Sequence, residues 1–133
     1  MPCITTLQAQ SQSPAGKGKP QLLLVEDDRS TASALRALLT HQGWEVELAV
    51  TLRAALAYLD RWVPDAVVLD LMLPDGDGCE VLKRVRQQAP QTRVVVTTGC
   101  WDQDRLERVT RLNPAALLHK PIDLKLLCTK LRA

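Results

Sequence analysis

The chain has 133 residues, and its 17 basic and 15 acidic side chains leave a formal net charge of +2. This length suits a single domain, and the nearly balanced charge provides no electrostatic basis for binding nucleic acid. No apolar run approaches the ~20 residues of a membrane span, and the N-terminus lacks the basic start and apolar stretch of a signal peptide, so we expect a cytoplasmic protein that contacts neither nucleic acid nor membrane.

The first 20 residues differ in composition from the remainder. Residues 1–20 are rich in Gln, Ser, Thr, Pro, Gly and Lys and show no hydrophobic periodicity. Such a composition is typical of a flexible tail or linker. The folded domain is therefore predicted over residues 21–133.

The first half of this domain is predicted to form two strands, each followed by a helix. Residues 22–25 are a continuous apolar run, which indicates a strand buried on both faces. In residues 44–49 larger apolar side chains alternate with Glu45, Glu47 and Ala49, which predicts a half-exposed strand near a sheet edge. Thr51 is suited to cap the second helix. The predicted apolar stripes of the two helices are Ala34, Leu35, Leu38 and Leu39, and then Leu52, Ala55, Leu56 and Leu59.

The second half repeats the alternation three times. Strands are predicted over 66–69, 94–96 and 116–118, and residues 86–93 are interpreted as a solvated loop. Five strands alternating with five helices indicate an α/β fold, a doubly wound five-stranded parallel sheet with helices on both faces. The expected strand order is the flavodoxin-like order 2-1-3-4-5. The predicted stripes of the last three helices are Val81, Leu82 and Val85; Leu106, Val109 and Leu112; and Leu124, Leu127, Cys128 and Leu131.

Polar side chains gather where the predicted strands end. In a sheet of this order the ligand crevice lies beyond the carboxyl ends of the first and third strands. These strands end at residues 26–28 (Glu-Asp-Asp) and at Asp70, and the next two strands end near residues 97–98 (Thr-Thr) and Lys120. Carboxylate oxygens are ligands that Mg²⁺ prefers. An aspartate beside such an ion can attack phosphorus and form an acyl phosphate.

At these positions the sequence resembles the response-regulator receiver family of two-component signalling. The matching segments are LLLVEDD, VVLDLMLPDGDG, VVVTTG and LLHKP, in family order, and the resemblance covers about Gln21 to Arg132. It implies a signalling module, not an enzyme, that takes a phosphoryl group from a partner histidine kinase or histidine phosphotransfer protein. The reaction is expected to require Mg²⁺ and to switch contacts with a downstream protein target.

The resemblance also implies a set of metal ligands. Asp27 is the expected direct ligand, and Glu26 is expected to act through water. Asp70 and the backbone carbonyl of Met72 complete the set. Asp28 is interpreted as a residue that begins the first helix, because acidic side chains are favoured there.

Further roles follow from the same resemblance. Asp70 is the expected phosphoacceptor, Thr98 supplies the hydroxyl that follows the phosphoryl group, and Lys120 pairs with a phosphoryl oxygen. Leu117 stands where the family usually has Tyr or Phe, so the signal is expected to pass through the loop after Thr98. Trp101 in that loop is interpreted either as a sensor of this movement or as a residue packed against the fourth helix.

Three interpretations remain open from the sequence. The chain can be a receiver that acts alone, or it can be a fragment of a longer hybrid kinase or transcription regulator. An aspartyl-phosphate phosphatase of the haloacid-dehalogenase-like kind is the alternative from another class. Those enzymes usually carry a second Asp two residues beyond the nucleophile, where this chain has Met72.

Overall fold

The computed structural model describes residues 18–99 and 101–132, so most of the predicted tail at residues 1–20 lies outside the described residues. None of the helices within this part of the chain has the length and apolar character needed to cross a membrane. The strands are β1 (Gln21–Val25), β2 (Glu45–Ala49), β3 (Ala66–Asp70), β4 (Met72–Leu73), β5 (Gly76–Asp77), β6 (Arg93–Thr98) and β7 (Ala116–His119). The helices are α1 (Arg29–His41), α2 (Leu52–Arg61), α3 (Cys79–Gln88), α4 (Gln103–Arg111) and α5 (Leu124–Arg132).

Five of the strands form one parallel sheet. Its order is β2-β1-β3-β6-β7, which confirms the predicted order 2-1-3-4-5 and the flavodoxin-like α/β class. Strand β2 lies at an edge, as its alternating pattern predicted. The register aligns Asp70 of β3 with Thr97 of β6, and Thr98 of β6 with His119 of β7. The carboxyl ends of these strands therefore meet at one edge of the sheet.

The core lies on both faces of this sheet. Continuous apolar runs in β1, β3 and β6 supply side chains to both faces because successive residues of a strand point in opposite directions. On one face these side chains pack against α2, α3 and α4, and on the other they pack against α1 and α5. Thr51 caps α2 as predicted, its side chain accepting a hydrogen bond from the Ala54 backbone N–H.

Two of the predicted helix stripes need correction. Ala34 is exposed, and the buried residues of α1 are Ala32, Leu35 and Leu39. Leu124, the first residue of α5, is 47% exposed. Small or terminal apolar residues contribute little to the apolar stripe that orients a helix on the core, so the stripe centred on the larger leucines determined the orientation.

The segment before β6 also differs from its prediction as a solvated loop. Arg86 belongs to α3, and its guanidinium donates to the carbonyl oxygens of Pro90, Thr92 and Leu112 at 2.7, 3.0 and 3.1 Å. Thr92 is buried, and its hydroxyl donates to the carbonyl of Pro64 at 2.7 Å. The planar guanidinium thus satisfies backbone acceptors that the turn leaves open. The segment is therefore anchored by Arg86 and Thr92, while Gln87, Gln88, Pro90 and Gln91 remain exposed.

A short hairpin follows the central strand. Strands β4 and β5 pair antiparallel, and Gly78 returns the chain to the end of β3, its N–H donating to the carbonyl of Leu71 at 2.9 Å. A Cβ at Gly78 would lie only 2.5 Å from the carbonyl oxygen of Asp70. Asp75 of the hairpin reaches α2, where its carboxylate accepts from the N–H groups of Leu52 and Arg53 at 2.7 and 3.0 Å.

Candidate functional site

Three carboxylates meet at the carboxyl ends of β1 and β3. One oxygen each from Glu26, Asp27 and Asp70 lies within 4.8 Å of the others. Glu26 and Asp70 are 1% and 3% exposed, whereas Asp27 faces solvent. The predicted acidic crevice is therefore present, and it is lined by two buried carboxylates and one that is exposed to solvent.

Lys120 supplies the positive charge of this cluster. It directly follows β7, and its Nζ lies 3.0 Å from Asp70 Oδ2 and 3.4 Å from Glu26 Oε1. Burial acts to lower the pKa of Lys120, but the hydrogen bond and charge of Asp70, with those of Glu26, raise it above the usual value. The ammonium therefore stays protonated between the two buried carboxylates.

Glu26 is held in an unfavourable environment for a charge. Burial raises its pKa, and the charge of Asp70 adds to this effect. The N–H of Asp28, which donates to Glu26 Oε2 at 3.1 Å, and the charge of Lys120 act in the opposite direction. A buried carboxylate beside a second one gains from an additional cation.

Asp28 has a different role from its two acidic neighbours. It is the N-cap of α1, and its carboxylate accepts from the N–H and the hydroxyl of Thr31 at 2.9 and 2.7 Å. The hydrogen bonds from Thr31 lower the pKa of Asp28 below its usual value. The structure thus confirms that Asp28 begins the helix, and it leaves Asp27 as the residue that joins the acidic cluster.

The carboxylate of Asp70 is fixed through both of its oxygens. Oδ1 accepts from the N–H of Met72 at 3.0 Å, and Oδ2 accepts from Lys120. The N–H of Leu71 approaches the carbonyl of Thr97 at 3.4 Å and so continues the contact between β3 and β6. The Met72 side chain itself is 51% exposed, so only its backbone takes part in the cluster.

Two threonine hydroxyls lie at the end of β6. Both Thr97 and Thr98 are buried, and the Thr98 carbonyl accepts from the N–H of Lys120 at 2.8 Å. The hydroxyl of Thr97 has no hydrogen-bond partner among residues 18–99 and 101–132. Thr97 is the register partner of Asp70, so this hydroxyl lies on the strand next to Asp70.

Two contacts near the site were not predicted. The rings of Trp101 and His119 stack with centroids 3.8 Å apart and an interplanar angle of 8°. From the sequence, Trp101 is expected either to sense the movement of its loop or to pack against the fourth helix, and neither interpretation includes a stack on His119. The second contact joins Arg105 of α4 to Met72, with Nη1 2.8 Å from the sulfur. Neither pair is close in sequence, and no motif signals either contact.

The residues of the cluster fit a hard divalent cation. Carboxylate oxygens from Glu26, Asp27 and Asp70 can converge on one ion, and Mg²⁺ is usually held by one or two carboxylates with water and phosphate oxygens. Asp27 is exposed, so water has access from that side. Together, the doubly wound sheet and the acidic cluster at its strand ends define a class of α/β domains with an acidic crevice at the topological switch point.

Comparison with known proteins identifies the family within this class. The family described as "Response regulator receiver domain" matches residues 22–132. The chain belongs to this family and is a receiver domain of two-component signalling. Receiver domains of response regulators are generally signalling modules and not enzymes.

Similar proteins include bacterial transcriptional regulators. The transcriptional regulatory protein TrcR of Mycobacterium tuberculosis is 37% identical over 118 residues, which cover 86% of this chain and 45% of that protein. The response regulator MprA of Mycolicibacterium vanbaalenii is 39% identical over 116 residues, or 85% of this chain and 49% of that protein. The chain therefore spans about half the length of these curated relatives.

Solved structures share the fold. A CheY-like receiver domain protein from Methanospirillum hungatei superposes with a TM-score of 0.82 at 24% identity, covering 86% of this chain and 92% of that one. The non-phosphorylated HemR receiver domain from Leptospira biflexa gives a TM-score of 0.77 at 31% identity, with coverage of 86% and 92%. Both cover nearly all of the described domain.

Proposed function

We propose that Asp70 accepts a phosphoryl group from a partner histidine kinase or histidine phosphotransfer protein in a Mg²⁺-dependent reaction. The observation that carries this proposal is the placement of Asp70, a buried carboxylate at the end of the central strand that Lys120 contacts at 3.0 Å. Glu26 and Asp27 lie beside it. Membership of the receiver family supports the same assignment.

The chemistry assigns one task to each residue. A carboxylate oxygen of Asp70 attacks phosphorus, the P–N bond of the donor phosphohistidine breaks, and its electron pair leaves with the imidazole nitrogen. The N–H of Met72, 3.0 Å from Oδ1, holds the carboxylate in one orientation. Lys120 can transfer its contact from Asp70 to a phosphoryl oxygen, where negative charge accumulates.

The metal belongs in the acidic cluster. Asp27, Asp70 and the backbone carbonyl of Met72 would hold Mg²⁺ directly, and Glu26 would hold it through water. When bound, Mg²⁺ supplies positive charge to the transferred phosphoryl oxygens. Lys120 compensates only part of the negative charge of three carboxylates, which favours a further cation at this position.

The output is proposed to be a change in protein contacts. Thr98, buried at the end of β6 and linked by its carbonyl to the N–H of Lys120, is the hydroxyl that would follow the phosphoryl group. A local change of charge of this kind can bias a two-state loop and so expose a surface to a downstream protein. We propose no contact of this domain with nucleic acid.

The domain organisation is part of the proposal. Residues 21–133 form the receiver, and residues 1–20 act as a tail or linker. The matched relatives are about twice as long as the matched segment. A fragment of a longer regulator is therefore the second candidate for the domain organisation. The phosphatase alternative has no support in the site, because the position two residues beyond Asp70 is the thioether of Met72, which cannot serve as a general acid.

Phosphorylation can be tested directly by mass spectrometry. Acetyl phosphate should add one phosphoryl group to the wild-type chain only when Mg²⁺ is present, and Asp70→Asn should not be labelled. Asp77→Asn is a matched control, because Asp77 lies in the same loop but its carboxylate caps the N–H of Cys79. Equal labelling of wild type and Asp70→Asn would exclude Asp70 as the acceptor.

A further inference from the structure

The side chain of Arg105 in α4 extends to Met72 in the segment that directly follows strand β3, at whose end Asp70 lies. Its Nη1 lies 2.8 Å from the sulfur of Met72. The backbone N–H of the same Met72 donates to Asp70 Oδ1. One methionine therefore links the guanidinium of α4 to the carboxylate that we propose is phosphorylated.

The guanidinium of Arg105 has poor partners. A thioether sulfur is a weak hydrogen-bond acceptor and carries no charge. Within residues 18–99 and 101–132, Arg105 forms no ion pair with a carboxylate, and its buried Nε has no hydrogen-bond partner. Arg108, one turn further along α4, pairs instead with Asp77 at 3.8 Å. Arg105 is thus a cation without an anion, placed beside the acceptor loop.

Phosphorylation would create the missing anion. Lys120 and a divalent cation together balance the three carboxylates of Glu26, Asp27 and Asp70. Conversion of Asp70 to an acyl phosphate replaces its single negative charge with about two, so about one negative charge is left without a partner. The guanidinium of Arg105, in contact with Met72 and without a carboxylate partner among the described residues, is a nearby charge that can offset it.

We propose that Arg105 is a phosphoryl-binding residue. When Asp70 is phosphorylated, the guanidinium leaves the Met72 sulfur and donates to phosphoryl oxygens. Arginine forms short, charge-assisted and often bidentate hydrogen bonds with phosphoryl oxygens, which a thioether cannot match. This inference rests on the proposed function of Asp70 and adds a second cation, from α4, to the Lys120 that follows β7.

The exchange of partners also moves a structural element. Arg105 is the third residue of α4, and its side chain would draw the first turn of this helix toward the acceptor. Leu117 is an aliphatic side chain packed against the core, so it offers no polar group to the phosphoryl group. Arg105 therefore gives this chain a direct polar link between the acceptor and a helix of the surface.

The test uses beryllofluoride as the probe of the phosphorylated state. Calorimetric titration of the Mg²⁺-loaded full chain should show about tenfold or more weaker beryllofluoride binding in Arg105→Ala, as expected for loss of a hydrogen bond to a charged group. Arg105→Lys should recover part of this loss. Arg108→Ala, whose partner is already Asp77, should bind within about twofold of wild type. Mg²⁺ affinity without beryllofluoride should not change in any of the three.

The outcomes separate this inference from the proposed function. Equal beryllofluoride affinity of wild type and Arg105→Ala would overturn the role of Arg105 and leave Asp70 as the acceptor. Equal losses in Arg105→Ala and Arg108→Ala would overturn it too, because they would indicate a general effect of α4. Failure of the wild-type chain to bind beryllofluoride would overturn the proposed function and this inference with it.

Discussion

Substitution of Gly78 by alanine tests how closely the loop after β3 fixes the acceptor. A Cβ at this position would lie 2.5 Å from the Asp70 carbonyl oxygen, 2.9 Å from Leu71 Cα and 3.1 Å from the Leu71 carbonyl oxygen. These atoms belong to the backbone and cannot rotate away. The φ of Gly78 is −59°, which alanine adopts freely, so the expected effect comes from crowding alone.

The size of the effect follows from these distances. Ordinary van der Waals contact begins at 3.4 Å, so the backbone of Asp70 and Gly78 must separate by about 0.9 Å. Overpacking of this kind typically costs about 1–3 kcal/mol of unfolding free energy. A displacement near 1 Å can also slow a positioned reaction by about 100-fold. We therefore expect Gly78→Ala to be less stable and to be phosphorylated much more slowly.

Urea denaturation and the initial rate of labelling by acetyl phosphate measure the two effects separately. Gly99→Ala is the matched control, because a Cβ at Gly99 meets nothing within 4 Å, and it should stay within about 0.5 kcal/mol of wild type. If Gly78→Ala is as stable as wild type, the crowding argument is wrong. If stability falls but labelling does not, the shift does not reach the Asp70 carboxylate.

Three further predictions concern separate parts of the chain. Tyr58 is the only tyrosine, and burial with nearby negative charges raises its pKa to about 12. Its contribution to stability should be complete below the usual pKa of about 10 and should be lost as pH rises toward 12, which tyrosinate absorbance and alkaline unfolding can follow. Arg86→Lys should lose about 1–3 kcal/mol in urea denaturation, because the single ammonium nitrogen of lysine cannot reach three carbonyls that Nε, Nη1 and Nη2 of Arg86 contact separately. By contrast, Arg84→Lys on the same helix should change little. Asp27→Ala should lose Mg²⁺ binding in calorimetry and Asp28→Ala should lose much less; equal affinities would mean that the metal ligand is misassigned.

The sheet and the acidic crevice were predictable because both follow from short-range patterns. Strands buried on both faces appear as continuous apolar runs, as in residues 22–25, and the parallel topology then brings their carboxyl ends together. Glu26, Asp27 and Asp70 meet for this reason, although each is unremarkable alone. The orientation of α1 was harder to predict, because Ala34 is too small to indicate which face of the helix is buried.

Contacts between distant loops could not be predicted from such patterns. Arg105 and Met72 are 33 residues apart, and their meeting depends on the path of the β4–β5 hairpin and on the position of α4. The anchoring by Arg86 likewise requires a turn whose carbonyls face one guanidinium. Hydrophobic periodicity does not predict these two arginine contacts, because the partners of a long polar side chain depend on the tertiary positions of distant segments.

The two hydrogen bonds that the Asp75 carboxylate accepts from α2 affect the local unfolding of this part of the molecule. Besides the Thr51 cap, two N–H groups in the first turn of α2 donate to a carboxylate that lies 23 and 22 residues later, on the β4–β5 hairpin. Opening of the hairpin would remove an acceptor from the N–H groups of Leu52 and Arg53. Amide hydrogens at the start of α2 should therefore exchange with solvent together with those of the hairpin, and not with the rest of their own helix. The cooperative unit would then cross the boundaries of secondary structure.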